Sequence, residues 1–183
     1  MAEFSQNINM LKDTHEEDKT VIMDQIVKLA QEAGYTIADL DIARPWGGFV
    51  RFDYKDGDKF VGEFFPDVDA TEARLGNPDA ELSPKILLVA PGQRLSWQMH
   101  HRRAERWVFL NDGAYYKSMN PDEMGEIIYA KAGDVVQFEA GECHRLAGVE
   151  GGYTLVAEIW QHTDPSQPSD EVDIVRLQDD YKR

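Results

Sequence analysis

The chain has 183 residues, of which 42% are hydrophobic and 29% charged, a composition typical of one folded domain rather than of a disordered chain. Its 34 acidic and 19 basic residues give a formal net charge of -15, which repels phosphate backbones and anionic lipid surfaces. We therefore expect neither nucleic acid nor membrane partners. The single cysteine, Cys143, excludes an intrachain disulfide and a cysteine-rich zinc site. No apolar run approaches the roughly 20 residues of a membrane helix, and the N-terminus lacks the pattern of a signal peptide, so we expect a cytoplasmic protein.

The N-terminal part of the chain predicts one amphipathic helix over Thr14–Gly34. Thr14 followed three residues later by Glu17 fits a capping box, and Gly34 suits the left-handed conformation at a helix end. The apolar residues that recur at helical spacing are Val21, Ile22, Ile26, Leu29, Ala30 and Ala33. We expect residues 1–40 to form a helical appendage that packs on a main domain of residues 41–183.

From residue 41 onward, short aliphatic and aromatic segments are separated by turn signals such as Asp56-Gly57 and Pro91-Gly92. Many short strands between such turns are typical of a β-sandwich or barrel. The predicted strands are Gly48–Tyr54, Lys59–Phe65, Lys85–Ala90, Arg94–Met99, Trp107–Leu110, Asp134–Phe138 and Tyr153–Trp160. Residues 163–171 are predicted to be a surface loop, so the expected fold class is all-β with an N-terminal helix.

Two glycine-flanked runs contain the residues with metal-binding chemistry. In an extended strand Gln98 and His100 share a face, Glu105 can return to that face after a turn, and His144 lies in the second run. Imidazoles and a carboxylate suit a borderline divalent metal, whereas the amide of Gln98 is by itself a weak ligand. The pattern predicts a metal site at these residues.

These two runs resemble the paired signature motifs of the cupin superfamily. The residues that fill the first motif are Gly92, Gln98, His100, Glu105 and Gly113, with Gln98 in place of the usual first histidine. The residues that fill the second are Gly133, Gly141 and His144, with Glu139 in place of the usual proline. The resemblance implies a jelly-roll barrel, or double-stranded β-helix, that holds a metal ion between the two motifs.

Between about Asp41 and Arg183 the chain is similar to the cupin domain of type II mannose-6-phosphate isomerases. The similar segments are Arg44-Pro-Trp-Gly47, Pro91-Gly-Gln-Arg-Leu-Ser-Trp-Gln98, His100-His-Arg-Arg-Ala-Glu-Arg-Trp107, His144-Arg-Leu146 and Asp173-Ile-Val-Arg-Leu177. The family usually carries histidines at the positions of Arg102 and Arg106, for which we expect surface ion pairs. The resemblance implies interconversion of mannose 6-phosphate and fructose 6-phosphate, and a functional role for Arg103. The ligand set that it implies is Gln98, His100, Glu105 and His144.

Aldose–ketose isomerisation needs a metal that polarises the sugar oxygens and a general base that moves a proton between adjacent carbons. Zinc is the first expectation for the metal, and manganese, iron, nickel and cobalt suit the same ligands. Glu158 and Lys85 are the candidate bases. The arginines expected to bind a substrate phosphate are Arg44, Arg103 and Arg145, and Trp46 is expected to line the sugar pocket.

Two alternatives stay open at this point. One is an isomerase of an unphosphorylated sugar, similar to a lyxose isomerase, and the other is a cupin that binds a sugar or a metal without turnover. We also expect a homodimer. Because arginines are concentrated between Arg94 and Arg106, we expect a local basic pocket beside the metal in an otherwise acidic protein.

Overall fold

The structure is a computed structural model that describes residues 4–11 and 18–182. Four helices precede or interrupt the early strands: α1 (Phe4–Ile8), α2 (Lys19–Glu32), α3 (Gly57–Phe64) and α4 (Ala70–Ala73). The eleven strands are β1 (Ile37–Asp41), β2 (Gly47–Phe52), β3 (Lys85–Val89), β4 (Trp97–Met99), β5 (Arg103–Phe109), β6 (Gly113–Ser118), β7 (Ile128–Ala130), β8 (Val135–Phe138), β9 (Cys143–Ala147), β10 (Thr154–His162) and β11 (Val175–Gln178).

The strands form two antiparallel sheets. The larger sheet has the order β1-β2-β3-β10-β5-β8, and the smaller sheet has the order β11-β4-β9-β6-β7. From β3 to β11 the chain crosses between the sheets at every connection except that between β6 and β7, as in a jelly-roll barrel. This arrangement confirms the all-β class expected from the sequence.

The central strands β3 and β10 of the larger sheet are buried on both faces, and strand alternation sorts their side chains into two cores. On β3, Ile86 and Leu88 join the helices in one core, while Leu87 and Val89 lie in a second core with residues of both sheets. A strand covered on both faces reads as a continuous apolar run, and all five residues of β3 are buried. The second core forms the interior of the barrel.

The N-terminal helices cover the outer face of the larger sheet. Ile22 and Ile26 of α2 are buried in the same core as Phe4 of α1 and Phe52 of β2. Burial of aromatic and aliphatic side chains in this layer stabilises the sheet from outside the barrel.

The ends of α2 differ in part from the sequence prediction. The helix begins at Lys19, and the Asp18 carboxylate caps it by accepting a hydrogen bond of 2.7 Å from the backbone N–H of Thr20. The predicted capping box, Thr14–Glu17, lies outside the described residues. Gly34 has a φ of 86°, which confirms its left-handed conformation just after the helix.

The predicted strand Lys59–Phe65 is wrong, because this segment forms the helix α3. Phe60, Val61 and Phe64 recur at helical spacing and are buried in the outer core, so the apolar residues face the sheet from a helix. The short apolar run was ambiguous between strand and helix.

The loop predicted at residues 163–171 is confirmed, since no helix or strand occurs there. Among the described residues, no helix combines the length and the apolarity needed to cross a bilayer.

Gly47 and Gly62 provide a matched test of this packing. Gly47 opens β2 with a φ of 146°, and a Cβ there would overlap the carbonyl oxygen of Leu88 on the neighbouring strand. We expect G47A to lower the free energy of unfolding by roughly 3 kcal/mol or more. Gly62 lies on the exposed face of α3 with open space beside it. G62A should therefore raise the free energy of unfolding by about 0.5–1 kcal/mol. Chemical denaturation measures both, and equal effects would contradict the packing described for β2.

Candidate metal centre

Three buried side chains from both sheets converge inside the barrel. His100 directly follows β4, Glu105 lies on β5 and His144 lies on β9. The Nε2 atom of His100 is 3.0 Å from one Glu105 carboxylate oxygen, and that of His144 is 3.1 Å from the other. In the part of the chain that the structure describes, this is the one cluster of three or more His, Cys, Asp or Glu side chains whose ligand atoms all lie within 4.8 Å of one another.

Backbone carbonyls orient both imidazoles. The Nδ1 atom of His100 lies 2.5 Å from the carbonyl oxygen of Asp173, and that of His144 lies 3.1 Å from the carbonyl oxygen of Glu142. A carbonyl can only accept, so these contacts assign the N–H to Nδ1 in each ring. The Nε2 lone pairs of both neutral rings then face Glu105.

The inward atoms of this cluster fit a divalent cation. His100 Nε2, His144 Nε2 and Glu105 Oε2 are buried without a hydrogen-bond partner, because the short N···O separations lack hydrogen-bond geometry. An unsatisfied buried polar atom costs about 1–3 kcal/mol, and a cation between these atoms removes that cost. Ligands of one ion at about 2.1 Å lie roughly 3 Å apart when adjacent. The observed separations agree with such an arrangement.

The surroundings of Glu105 favour its charged form. Burial opposes ionisation, but His100 and His144, when they carry a proton on Nε2 in the metal-free protein, and the Arg103 guanidinium hold the pKa of Glu105 well below its ordinary value. Arg103 donates from Nε to a Glu105 oxygen at 3.0 Å. A permanently ionised, nearly solvent-free carboxylate is a strong ligand for a cation.

Gln98 lies beside the cluster, and its side chain contacts a neighbouring hydroxyl group. It is opposite His144 in the pairing of β4 with β9, and its side-chain oxygen accepts a hydrogen bond of 2.7 Å from the Ser96 hydroxyl. Its side chain lines the same cavity as His100 and Glu105. Its role as a ligand stays a prediction.

A cavity of about 160 Å³ opens next to the cluster and brings most of the predicted site residues together. The predicted residues that line it are Arg44, Trp46, Lys85, Gln98, His100, Arg103, Glu105 and Glu158. The inner residues His100, Glu105 and Glu158 are buried, whereas the side chain of Arg44 is 34% exposed. The cavity therefore has the carboxylates of Glu105 and Glu158 and the imidazole of His100 at its inner end and Arg44 at its mouth.

Glu158 is the second buried carboxylate of the cavity. It is opposite Lys85 on one neighbouring strand and Trp107 on the other, and it accepts a hydrogen bond of 2.9 Å from the Trp107 indole. The Lys85 ammonium lies 3.6 Å away. Burial, followed by the negative charge of Glu105, raises the pKa of Glu158 to about 7 although Lys85 opposes the shift.

The structure does not bring Arg145 into this cavity, which corrects its predicted role in substrate binding. His144 faces the cluster, and adjacent residues of a strand point to opposite faces. The Arg145 guanidinium instead donates to the carbonyl of Leu95 at 2.6 Å and pairs with Asp180 at 3.1 Å. Arg145 is buried, and these contacts hold the segment around Asp180 against the segment around Leu95.

The cations that line the cavity are not the cluster between Arg94 and Arg106 that was expected to form a basic pocket, apart from Arg103. Arg94, Arg102 and Arg106 form surface ion pairs, with Asp180, Asp170 and Asp67 respectively, as expected for Arg102 and Arg106. The cations that line the cavity are Arg44, Lys85, Arg103 and Arg176, and the carboxylates are Glu105, Glu158 and Glu171. The cavity thus has four cations and three carboxylates in a protein of net charge -15, and Arg44 is also paired with Asp41 at 2.7 Å.

Sequence reasoning missed the two charged cavity residues that follow the loop at residues 163–170, Glu171 and Arg176. Arg176 is opposite Gln98 because β11 pairs with β4, and Glu171 lies 3.3 Å from the Lys85 ammonium. The similarity of residues 173–177 to a known family was a signal of their importance. The sequence contained no signal that this segment returns to the cavity.

A jelly-roll barrel that buries two imidazoles and a carboxylate from different strands at its inner end is the architecture of a cupin. Residues 78–179, more than half of the chain, match the family model described as mannose-6-phosphate isomerase C-terminal. The protein belongs to this family.

Two curated relatives share this domain with partial coverage. The alginate biosynthesis protein AlgA of Pseudomonas putida is 31% identical over 99 residues, which are 53% of this chain and 16% of that protein. Mannose-1-phosphate guanylyltransferase 2 of Escherichia coli is 29% identical over 90 residues, which are 49% of this chain and 14% of that protein. The matched segment is thus a small part of each relative.

Solved structures show the same fold at low sequence identity. The capsular polysaccharide assembling protein CapF of Staphylococcus aureus is 14% identical with a TM-score of 0.51, over 95% of this chain and 45% of that one. The oxalate decarboxylase of Lactobacillus farciminis is 16% identical with a TM-score of 0.50, over 76% of this chain and 34% of that one. These similarities concern the double-stranded β-helix alone.

The raised pKa of Glu158 predicts a pH-dependent stability in metal-free protein. A carboxyl whose pKa is raised from 4.5 to about 7 contributes stability that is fully present below pH 4.5 and is lost as the pH rises through 7. Because glutamine does not ionise, the stability of E158Q minus that of the wild type should increase by about 2–3 kcal/mol between pH 4.5 and 8. Urea denaturation across this range measures the difference, and a difference that is constant with pH would contradict the burial of a charge at this position.

Proposed function

We propose that this protein is a metal-dependent aldose–ketose isomerase of sugar phosphates, with mannose 6-phosphate and fructose 6-phosphate as the first substrates to test. The observation that carries the proposal is the buried cluster of His100, Glu105 and His144, whose inward atoms lack partners beside a cavity lined by four cations. Membership in the mannose-6-phosphate isomerase C-terminal family supports the choice of substrate class.

The cluster would hold the metal, with Gln98 as a further ligand at the cavity wall. A divalent ion bound there supplies Lewis acidity to the carbonyl and neighbouring hydroxyl oxygens of a sugar. Imidazole nitrogens and a carboxylate suit zinc, and the same set suits manganese, iron, nickel or cobalt. Phe138 stacks on the His144 ring with the ring centroids 4.5 Å apart, and this aromatic wall excludes water from the ligand side of the cluster.

Glu158 is the proposed general base. Its carboxylate is held by the Trp107 indole, lines the cavity beside the cluster, and has a pKa close to neutral pH, where a base is most effective. In the forward direction it would take the proton from C2 of the aldose and return it to C1, while the hydroxyl proton of O2 passes to O1, to give the ketose. The Lys85 ammonium, 3.6 Å away, would balance the charge of the unprotonated carboxylate.

The size of the cavity favours a substrate that extends beyond its mouth. Ligand pockets usually enclose about 300–1,000 Å³, whereas this cavity has about 160 Å³. The reacting end of a hexose phosphate would fit inside, with its phosphate at the more exposed side chains of Arg44 and Arg176. A guanidinium binds a phosphate through two parallel hydrogen bonds. Arg103 is buried and committed to Glu105, so it would position that ligand rather than bind phosphate.

Removal of the metal is the first test of this proposal. Purified protein treated with a chelator should lose mannose-6-phosphate isomerase activity, and one of the five candidate divalent ions should restore it. E105Q should lower the metal content and the activity together, because an amide replaces the charged ligand. E139Q alters an exposed carboxylate within the second motif and is the matched control. It should retain both the metal content and the activity. Full activity in the chelated protein would contradict the metal mechanism.

The phosphate site has a separate test at Arg176. R176Q should raise KM for mannose 6-phosphate about 10–100-fold, because a charge-assisted hydrogen bond contributes about 1.5–3 kcal/mol. R106Q is the control, since Arg106 pairs with Asp67 away from the cavity. Steady-state kinetics with mannose and with mannose 6-phosphate separate the alternatives. Equal turnover of both sugars by the wild type would favour an isomerase of unphosphorylated sugars, and no turnover with any metal would favour a binding protein.

A further inference from the structure

The segment of residues 169–176, here called the C-terminal strap, crosses the bend between β4 and β5. This bend, at His101 and Arg102, separates the candidate ligand His100 from the arginine that contacts Glu105. Backbone N–H groups at such a bend lie outside the strand pairing and need other acceptors. The strap supplies them.

The Asp173 carboxylate closes the bend. One of its oxygens accepts from the N–H of His101 and the other from the N–H of Arg102, each at 3.0 Å. The hydroxyl of Ser169, also in the strap, donates to the same carboxylate at 2.8 Å. Asp173 is only 6% exposed, so these bonds form in a largely water-free position where they fix the backbone firmly.

The backbone of Asp173 contacts the metal cluster directly. Its carbonyl oxygen accepts from Nδ1 of His100, and this bond presents the Nε2 lone pair to Glu105. The side chain of Asp173 therefore fixes the backbone that directly follows His100, and its main chain fixes the ring. One residue determines the position and the tautomer of this ligand.

The strap also holds the contact between Arg103 and the cluster. Arg103 donates from Nη1 to the Ser169 hydroxyl at 3.0 Å and to the carbonyl of Asp170 at 2.9 Å, while its Nε donates to Glu105. The guanidinium lies over the Trp160 ring at 3.8 Å from the centroid. Its orientation toward Glu105 thus depends on the strap on one side and on Trp160 on the other.

The two candidate histidine ligands differ in this respect. His144 is oriented by the carbonyl of Glu142, two residues earlier in the chain, whereas His100 is oriented from a position 73 residues further along the chain. Loss of the strap contacts would leave His144 and the strand that carries Glu105 in place. It would release the ring of His100.

We propose that Asp173 is a positioning residue for the metal centre, which it completes by locking His100 and the bend that follows it; this inference rests on the metal site of the proposed function. Partners that orient a ligating histidine typically contribute 10–100-fold to metal affinity. Asp173 contacts neither substrate nor metal in this account. It acts through His100 and, with Ser169, through Arg103.

The test compares metal binding by the full-length wild type, D173N and D180N. Asp180 anchors the C-terminal end to Arg145 and Arg94 and has no contact with the cluster, so D180N controls for general loosening of that end. Titration of Zn²⁺ and Mn²⁺ against a competing chelator should give a 10–100-fold weaker affinity for D173N and an affinity within about threefold of the wild type for D180N. Equal weakening in the two variants would overturn the proposal.

Amide hydrogen exchange of metal-free protein provides a readout that does not depend on the ion. The amides of His101 and Arg102 should be protected in the wild type and in D180N, and at least one of them should exchange at least tenfold faster in D173N, because asparagine keeps a single acceptor oxygen. If they exchange equally fast in all three proteins, Asp173 does not hold the bend. Absence of metal binding by the wild type, with the bend amides protected, would refute the metal site of the proposed function and leave the strap contacts intact.

If D173N does not fold, S169A is the variant whose metal affinity is measured instead. It removes one donor to the Asp173 carboxylate and one acceptor for Arg103 but retains both bend hydrogen bonds. Its metal affinity should fall between those of the wild type and the value expected for D173N. An affinity equal to that of D180N would overturn the proposal.

Discussion

A carboxylate buried between two imidazoles is the constraint on which the rest of this structure depends. Glu105 is almost free of solvent, and both of its oxygens face nitrogen lone pairs about 3 Å away once the rings have their N–H groups on Nδ1. Such an arrangement is repulsive unless a positive charge lies between the atoms, as a proton on an imidazole or as a divalent ion. The barrel supplies the rigid walls that keep these groups together despite that cost.

The segments around the barrel can be understood as supports for this centre. The N-terminal helices cover the outer face of the larger sheet, so that β5 and β10 are buried on both sides and present Glu105 and Glu158 from fixed backbones. The C-terminal strap acts from the opposite side by orienting His100 and Arg103. Beyond these supports, Arg44 and Arg176 bring positive charge to the mouth of a cavity in a strongly acidic protein. This distribution suits a small anionic sugar better than a large polyanion.

The sequence predicted the centre of the site better than its surroundings. His100, Glu105 and His144 were found from strand alternation and glycine punctuation, because these patterns are local and the two motifs differ from ordinary strand sequence. Arg145 was misassigned because its place in a motif was weighed above strand alternation, which puts it on the face opposite to that of His144. Lys59–Phe65 was assigned to a strand because a short apolar run has the same composition in a strand and in a buried helix. The contributions of Glu171, Asp173 and Arg176 depend on contacts between residues far apart in the chain, and no spacing rule encodes such contacts.

The central claim is that the buried cluster binds one divalent ion through two imidazoles and a carboxylate. X-ray absorption spectroscopy of the protein loaded with one equivalent of Zn²⁺ tests it most directly. The account predicts two imidazole nitrogens and at least one oxygen at about 2.0–2.2 Å from the ion. A spectrum without imidazole scattering, or a protein that retains no ion after gel filtration, would contradict it.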